Sequence, residues 1–222
     1  MRKKRIYHPE NNNMHLKRSL IAAVSLFCLL GASSSVFACA CCAEHGTYSL
    51  SKGFLDSYHL GLIQEINFDK TAQLYMTAGG FEEIRGLASI EKEMNSGDAT
   101  GDLSIFNAFT HNMWNIQIKT PGGKSGTLVL PRPARMTIFK VDTHEPEVGH
   151  GEAVLYKEFQ FNGTVSSGSG IFRGSIVRPT TYSLVFQGRG NDCDNASDFS
   201  HWHLEIKGSK ASYAFFGKLA TS

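Results

Sequence analysis

Residues 114–119 read WNIQIK, with Trp114, Ile116 and Ile118 alternating with Asn115, Gln117 and Lys119. A period of two puts successive side chains on opposite faces, so this segment is a strand with one face buried. Pro121-Gly122-Gly123-Lys124 follows, and its glycines and proline end the strand in a turn. Working outward, Thr127–Leu130 and Met136–Val141 are two more strands. Pro131-Arg132-Pro133 separates them, because proline fixes φ and carries no N–H for a ladder. The same alternation recurs in Tyr182, Leu184 and Phe186, in Trp202, Leu204 and Ile206, and in Tyr213 with Phe215. Val154–Val165 reads as a pair of strands broken at Asn162-Gly163, a favoured hairpin dipeptide.

The first half is less regular. Ala72–Met76 reads as a strand and Ala78-Gly79-Gly80 as its turn. Ile84, Leu87 and Ile90 recur at helical spacing and predict a helix over Phe81–Met94, followed by a polar loop from Asn95 to Gly101. Thr47–Glu65 fits either one helical stripe (Tyr48, Leu50, Phe54, Leu55, Tyr58) or two short strands. Ser166–Gly170, SSGSG, reads as a flexible loop within the domain. Short strands at this spacing, with 22 glycines and only six prolines, predict a mainly β domain. Its expected form is an antiparallel β-sandwich or barrel with one or two short helices in the N-terminal half.

Upstream of this domain, Lys17 and Arg18 precede an apolar run from Leu20 to Leu30, and Gly31 to Ser35 are small. Basic residues, a short apolar core and then small residues are the layout of an export signal. The run is about half the 20 or so residues needed to span a bilayer, so no transmembrane span is expected after cleavage. Val36 and Ala38 suit the minus-three and minus-one positions and place cleavage after Ala38. The division is then residues 1–38 as leader and 39–222 as a single β-rich domain. Met14 as the start would give a leader of more usual length than Met1. The expected location is secreted or periplasmic.

Removing the leader takes away six basic residues and Glu10, which turns a formal charge of +2 into −3. No basic stripe remains for nucleic acid. Four cysteines survive: Cys39, Cys41, Cys42 and Cys193. In an oxidising compartment an even set is first read as disulfides. Adjacent Cys41 and Cys42 are poorly placed to bridge each other, so Cys193 with one N-terminal cysteine is the simplest pairing. Lipidation of Cys39 after cleavage is a further reading, though the bulky Phe37 fits a lipoprotein signal badly.

Cys39-Ala40-Cys41-Cys42 with His45 crowds soft sulfur ligands and an imidazole into seven residues, a set suited to Cu or Zn. The late segment Gly188–Ile206, GRGNDCDNASDFSHWHLEI, adds Cys193, His201 and His203. On a strand, His201, His203 and Glu205 share one face, opposite Trp202, Leu204 and Ile206. That face is either an additional metal surface or an ordinary solvated outer face. Asp192, Asp194 and Asp198 resemble part of a calcium loop but lack its glycine, and turn formation explains them better. His144, His150, Glu145, Glu147 and Glu152 form a third polar cluster, read as a hydrophilic hairpin tip.

No G-x-S-x-G, P-loop or H-E-x-x-H is present, so the reading leans away from an enzyme. Two functions are weighed ahead of an enzyme, which stays a third option. One is an exported domain binding Cu or Zn through Cys39, Cys41, Cys42 and His45, with Cys193, His201 and His203 as further ligands. The other is a disulfide-stabilised domain, without metal or catalysis, that recognises a protein, glycan or envelope component.

Overall fold

A computed structural model describes residues 46–74, 85–87, 103–110, 112–143 and 154–221, all within the unit Cys39–Ser222. The described chain is mainly β, with one helix in its N-terminal half. In chain order the elements are β1 (Tyr48–Phe54), α1 (Ser57–Glu65), β2 (Ile66–Leu74), β3 (Leu103–Thr110), β4 (Met113–Lys119) and β5 (Ser125–Pro131). There follow β6 (Arg135–Asp142), β7 (Leu155–Thr164), β8 (Ser167–Gly168), β9 (Thr180–Gly190), β10 (Phe199–Gly208) and β11 (Ala211–Thr221). Short 3-10 turns occur at Gly170–Phe172 and Ala196–Asp198.

All eleven strands join one sheet in the order β1-β6-β7-β9-β10-β11-β2-β3-β4-β5-β8. Every neighbouring pair is antiparallel. The sheet curls into a half-barrel, and the chain leaving β7 shows how. The Val165 N–H donates to Thr180 O at the start of β9, and the next N–H, from Ser166, donates to Val129 O on β5. One peptide step thus carries the chain from one side of the sheet to the far side. Trp114 on β4 meets Phe161 on β7 at 5.2 Å between ring centroids, although these strands are not sheet neighbours.

The inward side chains are large and aromatic. Trp114, Trp202, Phe159, Phe161, Phe172, Phe186, Phe199 and Phe215 are all fully buried. Phe161 and Phe186 meet edge to face at 5.5 Å, a geometry that adds about 0.5–1.5 kcal/mol beyond area burial. The alternations read from sequence hold: Trp114, Ile116 and Ile118 are buried, as are Tyr182, Leu184 and Phe186, and Trp202, Leu204 and Ile206.

Four local expectations are corrected. Asn162-Gly163 is not a hairpin turn, because β7 runs straight through it. The glycine is required by packing: a Cβ there would stand 2.7 Å from the ring of Tyr182, whose hydroxyl donates to Pro131 O. Gly163→Ala is therefore expected to cost about 1–3 kcal/mol in denaturant unfolding, by overpacking. SSGSG is not a free loop, since Ser167 and Gly168 form β8 against β5. A helix over 81–94 is interrupted at its centre. Arg85 bridges Ser212 in extended conformation and Gly86 has φ +94°, which no helix interior accepts. The rest of that segment, the Ala78–Gly80 turn and the Asn95–Gly101 loop lie outside the described residues. Thr47–Glu65 is neither one helix nor two strands but β1 followed by α1. Asp56 starts α1 by accepting the His59 N–H at 2.8 Å, and Leu62 and Ile63 bury its inner side.

Candidate functional site

The described chain begins at the end of the sheet where the late cysteine lies. Gly46 N–H donates to Asp142 O, and Asp142 N–H donates to Thr47 O, both at 3.0 Å. Asp142 faces Leu155 on β7, and Leu155 faces Gly190 on β9. The loop 191–195 leaves β9 from that point and carries Cys193, which is exposed with a free thiol. Cys39, Cys41, Cys42 and His45 lie outside the described residues, as does the His144–Glu152 cluster.

Beneath the loop sits an ionic cluster that the sequence reading did not assemble. Lys157 points inward from β7 and its side chain is 0 % exposed. Its ammonium donates to Cys193 O at 2.8 Å, Asp194 Oδ1 at 3.1 Å and Asp198 Oδ2 at 2.8 Å. Lys140, from the neighbouring strand β6, reaches Asp192 O at 2.6 Å, Asp192 Oδ1 at 3.2 Å and Asp194 Oδ1 at 3.1 Å. From α1, Tyr58 donates its hydroxyl to Asp194 O. His59 places Nδ1 at 2.8 Å from Asp56 Oδ1 and Nε2 at 4.0 Å from Asp194 Oδ2, with its ring edge-on to Phe159. The Asp56 carboxyl is held below the usual range chiefly by the His59 backbone N–H, then by the His59 ring.

This arrangement settles the aspartates chemically. Lys140 and Lys157 bring two ammonium groups to these carboxylates, so Asp192, Asp194 and Asp198 act as counter-ions that fasten the loop to the sheet. It also explains the glycines of GRGND. A Cβ on Gly188 would lie 1.7 Å from Asp198 O, and one on Gly190 would lie 2.3 Å from the Asp198 carboxyl carbon. Only bare backbone lets the Ala196–Asp198 turn fold back far enough for Asp198 to reach Lys157.

The outer face of β10 carries His201 and His203 as the alternation requires. His201 is exposed, with Nδ1 2.9 Å from Ser200 Oγ. His203 is half-buried. The neighbouring face is a hydrogen-bonded network rather than bare solvated surface. Glu158 accepts from Tyr156 OH at 2.6 Å and Gln160 Nε2 at 2.6 Å, with Gln187 Nε2 at 3.4 Å. Burial pushes the His203 imidazolium pKa below 6.5, outweighing the opposite pull of Glu205 and Glu158, with Lys207 adding a smaller push down. The folded chain therefore favours neutral His203. That stabilisation is present above the unfolded value near 6.5 and is lost as pH falls through the lowered folded value. His203→Gln is expected to flatten the stability profile below pH 6.5, as read by urea midpoints across pH.

Among the described residues, no three His, Cys, Asp or Glu side chains are grouped so as to hold a metal ion. Cys193, His201 and His203 are thus not grouped as a three-ligand metal centre among the described residues. No helix among the described residues is long and apolar enough to cross a membrane. No family model, curated protein or solved structure matches the chain.

Proposed function

We propose that this is an exported β-domain that holds a soft metal ion, Cu or Zn, through Cys39, Cys41, Cys42 and His45, with Cys193 as the added ligand from the body. Its work would be binding, buffering or delivery rather than catalysis. The observation that carries this reading is the ladder Gly46–Asp142–Leu155–Gly190 at one end of the sheet. It separates the start of β1 from the Cys193 loop by three strand spacings, about 14 Å. Four extended residues span a similar distance, so the chain length between Cys42 and Gly46 is enough for the proposed site to include the Cys193 loop. His201, on the outer face opposite Gln187, is the nearer of the two histidines to this end and the better candidate for a supplementary ligand.

A second reading keeps the same export signal but makes the domain a disulfide-stabilised binding or structural module of the envelope, without metal. The exposed apolar side chains of β1 favour it. The two part on one experiment: thiol counting and metal analysis of protein isolated from its own compartment. The metal reading expects free thiols and about one equivalent of bound metal. Two disulfides and no metal would overturn it in favour of the second. Intact mass on the same sample reports acylation of Cys39.

A further inference from the structure

β1 is an edge strand with an unusual surface. All seven of its residues are exposed, and it pairs only with β6; among the described residues no strand lies along its other edge. Tyr48, Leu50 and Phe54 are 71 %, 56 % and 70 % exposed. They share the outer face with Lys52, and the apolar surface continues through Phe139, 6.1 Å from Tyr48 between rings, to Tyr156, 6.3 Å further on. Arg135 lies 4.4 Å over the Phe54 ring. Lys52 is the only charge on β1 to guard this edge.

From this edge we infer that the chain forms a two-fold dimer in which β1 pairs antiparallel with β1 of a second copy, centred on Ser51. Three features select this occupant. The first is the sequence YSLSKGF, whose outer positions match about Ser51: aromatic Tyr48 and Phe54 at the ends, small Ser49 and Gly53 next. An isologous interface needs such self-complementarity. The second is hydrogen-bond parity. Thr47 and Leu55 make their ladder bonds toward the β6 side, to Asp142 and Ala134. Tyr48, Leu50, Lys52 and Phe54 therefore direct their backbone groups to the open edge. Centring on Ser51 makes all four of these residues hydrogen-bonded partners, Tyr48 with Phe54 of the second copy and Leu50 with its Lys52.

The third feature is charge. Centring one residue later, on Lys52, would also satisfy parity but would set the two lysines directly opposite, which is destabilising. Centring on Leu50 would leave Phe54 unpaired and set Tyr48 against lysine. About Ser51, each Lys52 lies against the other copy's Leu50, and each aromatic end meets an aromatic end. A two-fold axis normal to the sheet keeps the outer faces on one side, so the two apolar patches merge.

The test is sedimentation equilibrium of the protein under reducing conditions, with two variants of the same residue. Wild type is expected to be a dimer. Leu50→Lys sets lysine against Lys52 at both symmetric positions and is expected to raise the dimer dissociation constant about tenfold or more. Leu50→Glu sets a carboxylate there instead and is expected to keep the dimer. A second measurement fixes the register. Ser51→Cys faces its own symmetry mate in a non-hydrogen-bonded pair, where Cα atoms approach to about 4.5 Å and a disulfide fits. It is expected to cross-link on oxidation well beyond wild type, whereas Gly53→Cys, displaced along the strand, is not. A monomeric wild type, equal behaviour of the two Leu50 variants, or equal cross-linking of both cysteine variants would each overturn the proposal. So would a monomer that instead binds neutral phosphatidylcholine vesicles through this face.

Discussion

Lys157→Ala is expected to destabilise the domain by about 3–5 kcal/mol, because it removes the buried ammonium that the inward-turned carboxylates of Asp194 and Asp198 share. Asp194 would keep Lys140, and Asp198 would keep the Asn195 N–H at 3.2 Å. The loss is expected in urea unfolding near neutral pH, with loosening of the 191–198 loop in hydrogen exchange. Adding Asp194→Asn and Asp198→Asn to Lys157→Met is expected to recover much of the loss, since removing the buried ammonium together with the two carboxylates it meets leaves no uncompensated charge among the three. A loss under about 1 kcal/mol for Lys157→Ala would mean that the cluster is open to water.

Trp202→Ala is expected to cost about 3–5 kcal/mol, the usual range for emptying a buried aromatic site. Trp202 is 1 % exposed, packs its ring 4.9 Å from Phe68, and lies so close under β11 that a Cβ on Gly217 would stand 2.8 Å from Trp202 Nε1. Its side chain holds the segment that carries His201 and His203 on the opposite face. Trp202→Phe is expected to be much milder, because the indole N–H is buried with no acceptor among the described residues and its removal relieves a cost. Comparable losses for the two variants would show that the indole N–H is satisfied after all. The readout is the denaturant midpoint of each variant against wild type.

The strands were legible because one buried face imposes a period of two, and WNIQIK, TYSLVF and HWHLEI keep that period without interruption. Asn162-Gly163 misled because a turn dipeptide and a glycine needed for close packing look alike in sequence; only Tyr182 across the ladder tells them apart. The glycines of GRGND serve the close approach of Asp198, a need that shows only in the folded chain. The helix expected over 81–94 rested on spacing alone, and Gly86 at its centre was the residue to heed. Of the ionic cluster, the aspartates were visible but their partners were not. Lys157 did leave a signal: in LYKEFQF it occupies an inward position between Leu155 and Phe159, and a charge on a buried face demands a counter-charge. Which aspartates would answer it was a matter of topology, since β7 and the 191–198 loop meet only when the sheet is assembled.

We propose above that the cysteines ahead of Gly46 and the late cysteine serve one site. Native mass spectrometry of the reduced protein after addition of Cu(I) tests it most directly, with wild type beside Cys193→Ser and a variant in which Cys41 and Cys42 are both serine. One tightly held ion is expected in wild type, weakened by either change. Retention of the ion after loss of Cys193, or no ion in wild type, would contradict it.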